Sequence, residues 1–293
     1  MRITNRMMTD ALIYNLRRNT ENLAKVQRQI ASGKRFSRPS DDPVGVSHVL
    51  TLSAEASRNE QYLRNLEAAA AWLGVTDSAL QSMTEVVQRA RELTLQASND
   101  TLSTEDRQKV AKEIGELLGH AVQAGNTQYA GEYVFAGFQT NTAPFTLSGG
   151  PPPTAVSYNG DDGDIQRSIG PGQTTIINTK AGAAFQALFQ TLIDTRDDLA
   201  AGTNPSARLS SLDAHLDALI ELSTEAGARM NRVEVTALRL GEIMLSLSEL
   251  RSQTEDLEME EAAVELMAQQ NVYQAALASG AKVVQPSLLD YLR

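Results

Sequence analysis

The chain has 293 residues, no Cys, a net charge of −10 and an aromatic content of 5%. These values exclude a disulfide scaffold and a Cys-based zinc site, and they point to a core built from Leu, Val, Ile, Met and Ala, as in helical bundles. The longest apolar run, Ala68 to Val75, is far short of the roughly 20 residues of a membrane span. Met1-Arg2-Ile3-Thr4-Asn5-Arg6 leads into Met7 and Met8 without the apolar core and cleavage site of a secretory signal, so no general secretory export and no membrane insertion are expected. The charge is unevenly spread. Residues 1–40 hold nine Lys or Arg and two acids, a balance of +7, whereas residues 242–293 hold three bases and nine acids, a balance of −6.

Proline divides the chain, because a proline inside a helix costs roughly 3 kcal/mol. None lies in 44–143 or 206–285, whereas 144–205 contain six prolines and eight glycines. From the N-terminus, a helix is predicted with seam residues Leu12, Leu16, Asn19, Leu23, Val26 and Ile30, whose polar Asn sets register at a cost in stability. Asp41-Asp42-Pro43 predicts a turn that caps the next helix. That helix repeats every seven residues through Leu66, Leu73, Leu80 and Val87, which predicts bundle core. A third helix is predicted after Ser103, capped with Asp106 three residues on, with seam residues Val110, Ile114, Leu117 and Ala121.

Next come short strands and turns around Ala155-Val156-Ser157-Tyr158, Asn159-Gly160, Gly170-Pro171-Gly172 and Thr174-Thr175-Ile176-Ile177, which predict a β-rich insertion. Tyr129, Tyr133, Phe135, Phe138 and Phe145 are expected at the boundary between bundle and insertion. The last helix is expected to open at Asn204-Pro205 and to carry the seam Leu240, Ile243, Leu247, Leu250, Thr254, Leu257, Glu261, Val264 and Ala268. The expected fold is therefore mainly α: an elongated helical bundle or coiled coil with paired N- and C-terminal helices and a small β-rich inserted domain. The expected division is 1–44 with 242–293 as a terminal helical assembly domain, 45–138 with 205–241 as the bundle core, and 139–204 as the outer insertion. Opposite charges flanking the terminal seam select the partner helix more than they stabilise it. With Asn19, Thr254 and Glu261 interrupting the seams, the ends are expected to order only against other copies.

The chemistry-bearing residues form no site. His48, His120 and His215 lie apart, without a second ligand at helical spacing. Gly33-Lys34 lacks the first Gly and the Ser or Thr of a phosphate-binding loop. In Asn159-Gly160-Asp161-Asp162-Gly163-Asp164 a Gly stands where a calcium ligand is needed and no Glu closes the loop, so a solvated turn is expected. No nucleophile elbow is present. The basic N-terminus lacks stacking residues beyond Tyr14 and Phe36 and has an acidic partner in the same chain, so neither an enzyme, a cofactor, a metal nor a nucleic-acid partner is expected.

Two terminal patterns carry a resemblance. Asn22-Leu23, Gln29-Ile30-Ala31-Ser32-Gly33-Lys34-Arg35 and Arg38-Pro39-Ser40-Asp41-Asp42-Pro43 resemble the N-terminal pattern of the flagellin superfamily, and Asp-Asp-Pro is similar to its hook–filament junction branch rather than to filament flagellins. Gln88 to Leu93, Glu132 to Gly137, Gly227 to Glu234 and the ending Gln285 to Arg293 are similar to that branch as well. The resemblance implies a structural subunit of the bacterial flagellum, a homo-oligomer stacked as a helical layer between the hook-side junction protein and flagellin. It also implies type III export without a cleavable signal, an export chaperone on the C-terminal helix and an extracellular location. On that reading Leu12, Leu16, Leu23, Val26 and Ile30 face Ile243, Leu247, Leu250, Leu257 and Val264, or the copies of these in neighbouring subunits, and form the self-association seam.

Overall fold

The computed structural model describes residues 5–99, 102–150 and 152–284. The chain is mainly helical, with three small antiparallel hairpins. It divides into two compact units, Asn59–Glu242 and Met1–Arg58 with Ile243–Arg293, and two long helices, α2 (Pro43–Ala97) and α5 (Leu209–Glu255), contribute residues to both.

The unit Asn59–Glu242 is built on the heptads of α2. Leu66, Leu73, Leu80 and Val87 are all fully buried, as a seven-residue repeat requires when one stripe faces a core. α3 (Thr104–Gly125) starts where its cap lies: Ser103 Oγ accepts from Asp106 N at 3.1 Å and donates to Asp106 Oδ2 at 2.7 Å. Lys109 and Ser103 hold the Asp106 carboxyl below its ordinary range. Val110, Ile114 and Ala121 are buried as the spacing predicts, but Leu118 rather than Leu117 fills the core, because the straight helix drifts off the seven-residue repeat. Asn204 Oδ1 accepts from Ser206 N at 3.1 Å, and Pro205 opens a short 3₁₀ turn (Pro205–Arg208) that runs into α5.

The segment expected to be β-rich is only partly so. Its strands are β1 (Gln128–Tyr129) with β2 (Glu132–Tyr133), β3 (Phe145–Ser148) with β4 (Ala155–Tyr158), and β5 (Gln166–Gly170) with β6 (Gln173–Ile176). The rest of it holds a 19-residue helix, α4 (Gly182–Ala200). This helix supplies Phe185, Leu188, Phe189, Leu192 and Ile193, all buried, and packs along α3. Its Phe185 and Phe189 complete an aromatic cluster with Phe135 and Phe145, at centroid distances of 4.9 Å (Phe135–Phe185) and 5.1 Å (Phe145–Phe189). Phe138, expected in that cluster, is 67% exposed, and Tyr129 meets Trp72 edge-on instead.

Side-chain amides tie the hairpins to the segments beside them. Asn126, at the end of α3, donates from Nδ2 to Phe145 O at 2.8 Å and accepts at Oδ1 from Phe145 N at 2.9 Å, standing in for a strand partner. Asn178 treats Ile165 N and Gly163 O in the same way, at 2.8 Å and 2.7 Å. The 159–164 turn is internally bonded rather than simply solvated: Asp161 Oδ1 accepts from Phe138 N and Gly163 N, both at 2.8 Å. The Tyr158 hydroxyl lies 3.1 Å from Phe135 O and 3.0 Å from Asp161 O, and burial with the nearby Asp162 and Asp161 pushes its pKa up to about 12.

Candidate functional site

The second unit contains the terminal helices. Every third or fourth residue of α1 (Asn5–Ser32) turns away from solvent: Leu12, Leu16, Asn19, Leu23 and Ile30 are half-buried and Val26 is buried. This is the predicted seam, Asn19 included. Its partner is α6 (Met259–Val284), which presents Ala262, Leu266, Gln269, Tyr273, Ala276 and Gly280 at spacings of 4, 3, 4, 3 and 4. The pair is antiparallel, with Leu12 beside Gly280 and Gly33 beside Leu257. Large residues of α1 thus oppose a face of α6 rich in small ones. A Cβ on Gly280 would lie 2.9 Å from Leu12 Cδ2, so the helices are already in close contact there.

The other half of the predicted seam does not face α1. Leu247 is buried, and with Leu52, Ala56, Met244, Ser248 and Arg251 it lines a cavity of about 110 Å³ between α2 and α5. Ile243 and Leu250 are 37% and 43% exposed, Leu257 is half-buried at the end of α5, and Val264 is 70% exposed. The physical reason is a break: α5 stops at Glu255 and α6 starts at Met259, so the burial stripe resumes at Ala262 rather than at Glu261. The residues that sequence reasoning missed are Ala262, Leu266, Gln269, Tyr273, Ala276 and Gly280. Their spacing was visible, but Ala, Gln and Gly are weak seam markers.

The break is held by the loop after α1. Gly33, at φ +69°, ends that helix in the left-handed conformation that glycine adopts most easily. Arg35 N then donates to Glu255 O at 2.7 Å, Leu257 N donates to Gly33 O at 2.9 Å, and Lys34 pairs with Asp256 as an isolated antiparallel bridge. Lys34 Nζ also forms an ion pair with Glu255, the one ion pair among the described residues that joins the basic N-terminal segment to the acidic C-terminal one. The loop is fixed at its far end too. Asp41 Oδ2 accepts from Arg38 N at 3.2 Å, and Asp42 Oδ1 caps α2 by accepting from Val44 N at 3.1 Å and Gly45 N at 2.9 Å. Phe36 is buried against Gly45, where an added Cβ would lie 2.8 Å from its ring.

On this unit Tyr14, Val44, Leu50, Val264 and Met267 are all more than 60% exposed. Among the described residues there is no group of three metal-ligating side chains, and no helix is long and apolar enough to cross a membrane.

A pair of terminal helices in one unit, and a helical bundle with small hairpins in the other, are the features of a flagellin-type axial protein. The chain is homologous to flagellar hook-associated protein 3 and is a structural component of the bacterial flagellum. Residues 3–140 match the bacterial flagellin N-terminal helical region. Flagellar hook-associated protein 3 of Escherichia coli is 28% identical over 88% of this chain and 81% of its own length. The protein of the same name from Salmonella typhimurium is 27% identical over 75% of this chain and 68% of its own. Bacillus cereus FlgL shares the fold, with a TM-score of 0.61 and 24% identity over 69% of this chain and 99% of that one.

Proposed function

We propose that this chain forms the hook–filament junction, a helical layer of identical subunits that adapts the hook-side junction protein to the flagellin filament. The reading is supported by identity over a long span: the two hook-associated proteins 3 are 28% and 27% identical over 81% and 68% of their own lengths, whereas the flagellin and filament core proteins of Treponema that match over a comparable span are 23–24% identical. In this role residues 1–44 with 242–293 are the assembly region, 45–138 with 205–241 the supporting bundle, and 139–204 the outer face. The self-association residues are Leu12, Leu16, Leu23, Val26 and Ile30 on α1, with Ile243, Leu247 and Leu250 on α5, Leu257 in the break and Val264 on α6. The exposed apolar residues of the terminal unit support this, because neighbouring subunits would bury them. Before assembly the chain is exported through the flagellar type III apparatus with a chaperone on its C-terminal helix.

Electron microscopy of a deletion strain, paired with an assay for flagellin in the medium, tests the role. Bare hooks with shed flagellin are the expected result. Absent filaments without shed flagellin would make this chain a filament subunit or place it earlier in assembly, and normal filaments would overturn the proposal.

A further inference from the structure

Both Asx-Gly dipeptides of the sequence, Asn159-Gly160 and Asp162-Gly163, stand in the turn after β4. Such a dipeptide can close into a cyclic imide, because a glycine without Cβ lets its amide nitrogen reach the carbonyl carbon of the preceding side chain. What decides is whether that N–H is free. Gly163 N is engaged: it donates to Asp161 Oδ1 at 2.8 Å, and loss of its proton would leave an anionic nitrogen beside a carboxylate. Phe138 N donates to the same oxygen at 2.8 Å and fixes it in place. Gly160 N has no hydrogen-bond partner among the described residues.

Asn159 is exposed, with its N bonded to Pro144 O at 2.8 Å and its Nδ2 to Thr146 Oγ1 at 3.1 Å. A bulkier residue after it would hinder ring closure, but none fits. A Cβ on Gly160 would lie 2.5 Å from the Tyr158 hydroxyl, which is held between Phe135 O and Asp161 O. The fold therefore requires glycine after Asn159 and shields only the neighbouring dipeptide.

We infer that Asn159 is a self-modification site: Gly160 N attacks Asn159 Cγ to form a succinimide, and Nδ2 leaves as ammonia, the nitrogen of Gly160 giving up its proton. Water then opens the ring. Addition at Cγ gives Asp, addition at the main-chain carbonyl gives isoaspartate, and the balance is one ammonia lost for one water gained. The product carboxylate has no N–H to offer Thr146 Oγ1. It adds a negative charge to a turn that already holds Asp161, Asp162 and Asp164, of which Asp164 pairs with Lys180 at 2.9 Å. Isoaspartate also lengthens the main chain just before Asp161, whose N donates to Ala136 O at 3.1 Å. All three changes loosen the end of the β3–β4 hairpin. The inference concerns the single chain and stands apart from the junction role, so failure of one leaves the other intact.

The test is incubation of the purified full chain in mildly alkaline buffer, once native and once unfolded in guanidinium. Peptide mass spectrometry reads the gain of one mass unit at Asn159, and chromatographic splitting of the same peptide reads isoaspartate at Asp162. Each rate is divided by its own value in guanidinium, which removes the intrinsic difference between the two dipeptides. The native chain is expected to convert at Asn159, while Asp162 is slowed at least tenfold more than Asn159 is. Equal slowing at the two positions, or no mass gain at Asn159 in the time that converts the unfolded chain, overturns the inference. Asp161→Ala removes the acceptor of Gly163 N and is expected to raise isomerisation at Asp162 severalfold without changing Asn159. No rise at Asp162 overturns the inference as well. Should circular dichroism show that this variant has not folded, the two wild-type ratios decide alone.

Discussion

Two glycines of the same helix test the packing of the bundle against its backbone. Gly119 is exposed in the interior of α3 and nothing lies within 4 Å of the Cβ it would carry, whereas an added Cβ on Gly125 would lie 2.9 Å from Phe145 Cδ2 and 3.3 Å from Phe189 Cζ. Alanine at position 119 removes the entropic penalty of glycine and should stabilise by about 0.8 kcal/mol. Alanine at position 125 gains no more than that from the backbone, because it closes the helix. It also forces a methyl into rings that are themselves fully buried, an overpacking cost of about 1–3 kcal/mol. The cost wins, since Phe145 is held from one side by Phe185 and Phe189 and by its backbone bonds to Asn126 from the other. The two variants should therefore differ by about 2 kcal/mol in opposite directions from wild type. At about 2–4 °C per kcal/mol for a unit of this size, melting temperatures should separate by roughly 4–8 °C in calorimetry or circular dichroism. A Gly125→Ala variant as stable as Gly119→Ala would refute the close packing of the aromatic cluster.

Replacing both Leu247 and Leu250 by Asp should abolish assembly while leaving the unit Asn59–Glu242 folded; filaments that still form in that strain would remove these residues from the seam. Ser103→Ala should cost about 1 kcal/mol in urea denaturation, since it removes the cap of α3. Tyr158 sets an alkaline limit: its folded pKa lies near 12, above the unfolded value near 10, so the stability tied to its neutral form is complete below pH 10 and is lost as the pH rises through 12. Tyr158→Phe should flatten that loss in a pH series of melting curves, at the cost of about 1 kcal/mol for its hydroxyl bonds at neutral pH. His215, whose ring Nε2 lies 2.9 Å from Thr191 Oγ1, has its pKa lowered by burial. The contribution of its neutral ring is therefore complete above the unfolded value near 6.5 and lost as the pH falls below it, and His215→Gln should weaken the acid dependence of stability over that range.

What could be read from the sequence follows how directly a pattern maps onto one helix face. Leu66, Leu73, Leu80 and Val87 were legible because a Leu heptad on an uninterrupted helix has one way to be buried. The caps at Asp42, Ser103 and Asn204 were legible because each serves backbone groups two or three residues away. α4 was hidden by the prolines and glycines averaged over its whole segment, although 173–204 contain no proline and Phe185, Leu188, Phe189, Leu192 and Ile193 carry helical spacing. The partner of α1 was hidden for another reason. The continuous 4,3 pattern from Ile243 to Val264 gave no sign of a break whose backbone bonds to residues more than 200 positions away.

The hairpins have a consequence for engineering. β5 and β6 leave and return at neighbouring points, and their turn, Pro171-Gly172 with φ +67° at Gly172 and nothing within 4 Å of the Cβ it would carry, faces open space. An epitope or dye-binding peptide grafted there adds a loop whose closure entropy grows only slowly with length. The graft would leave the buried aromatic rings untouched, which makes this turn a handle for labelling the subunit in living, swimming cells.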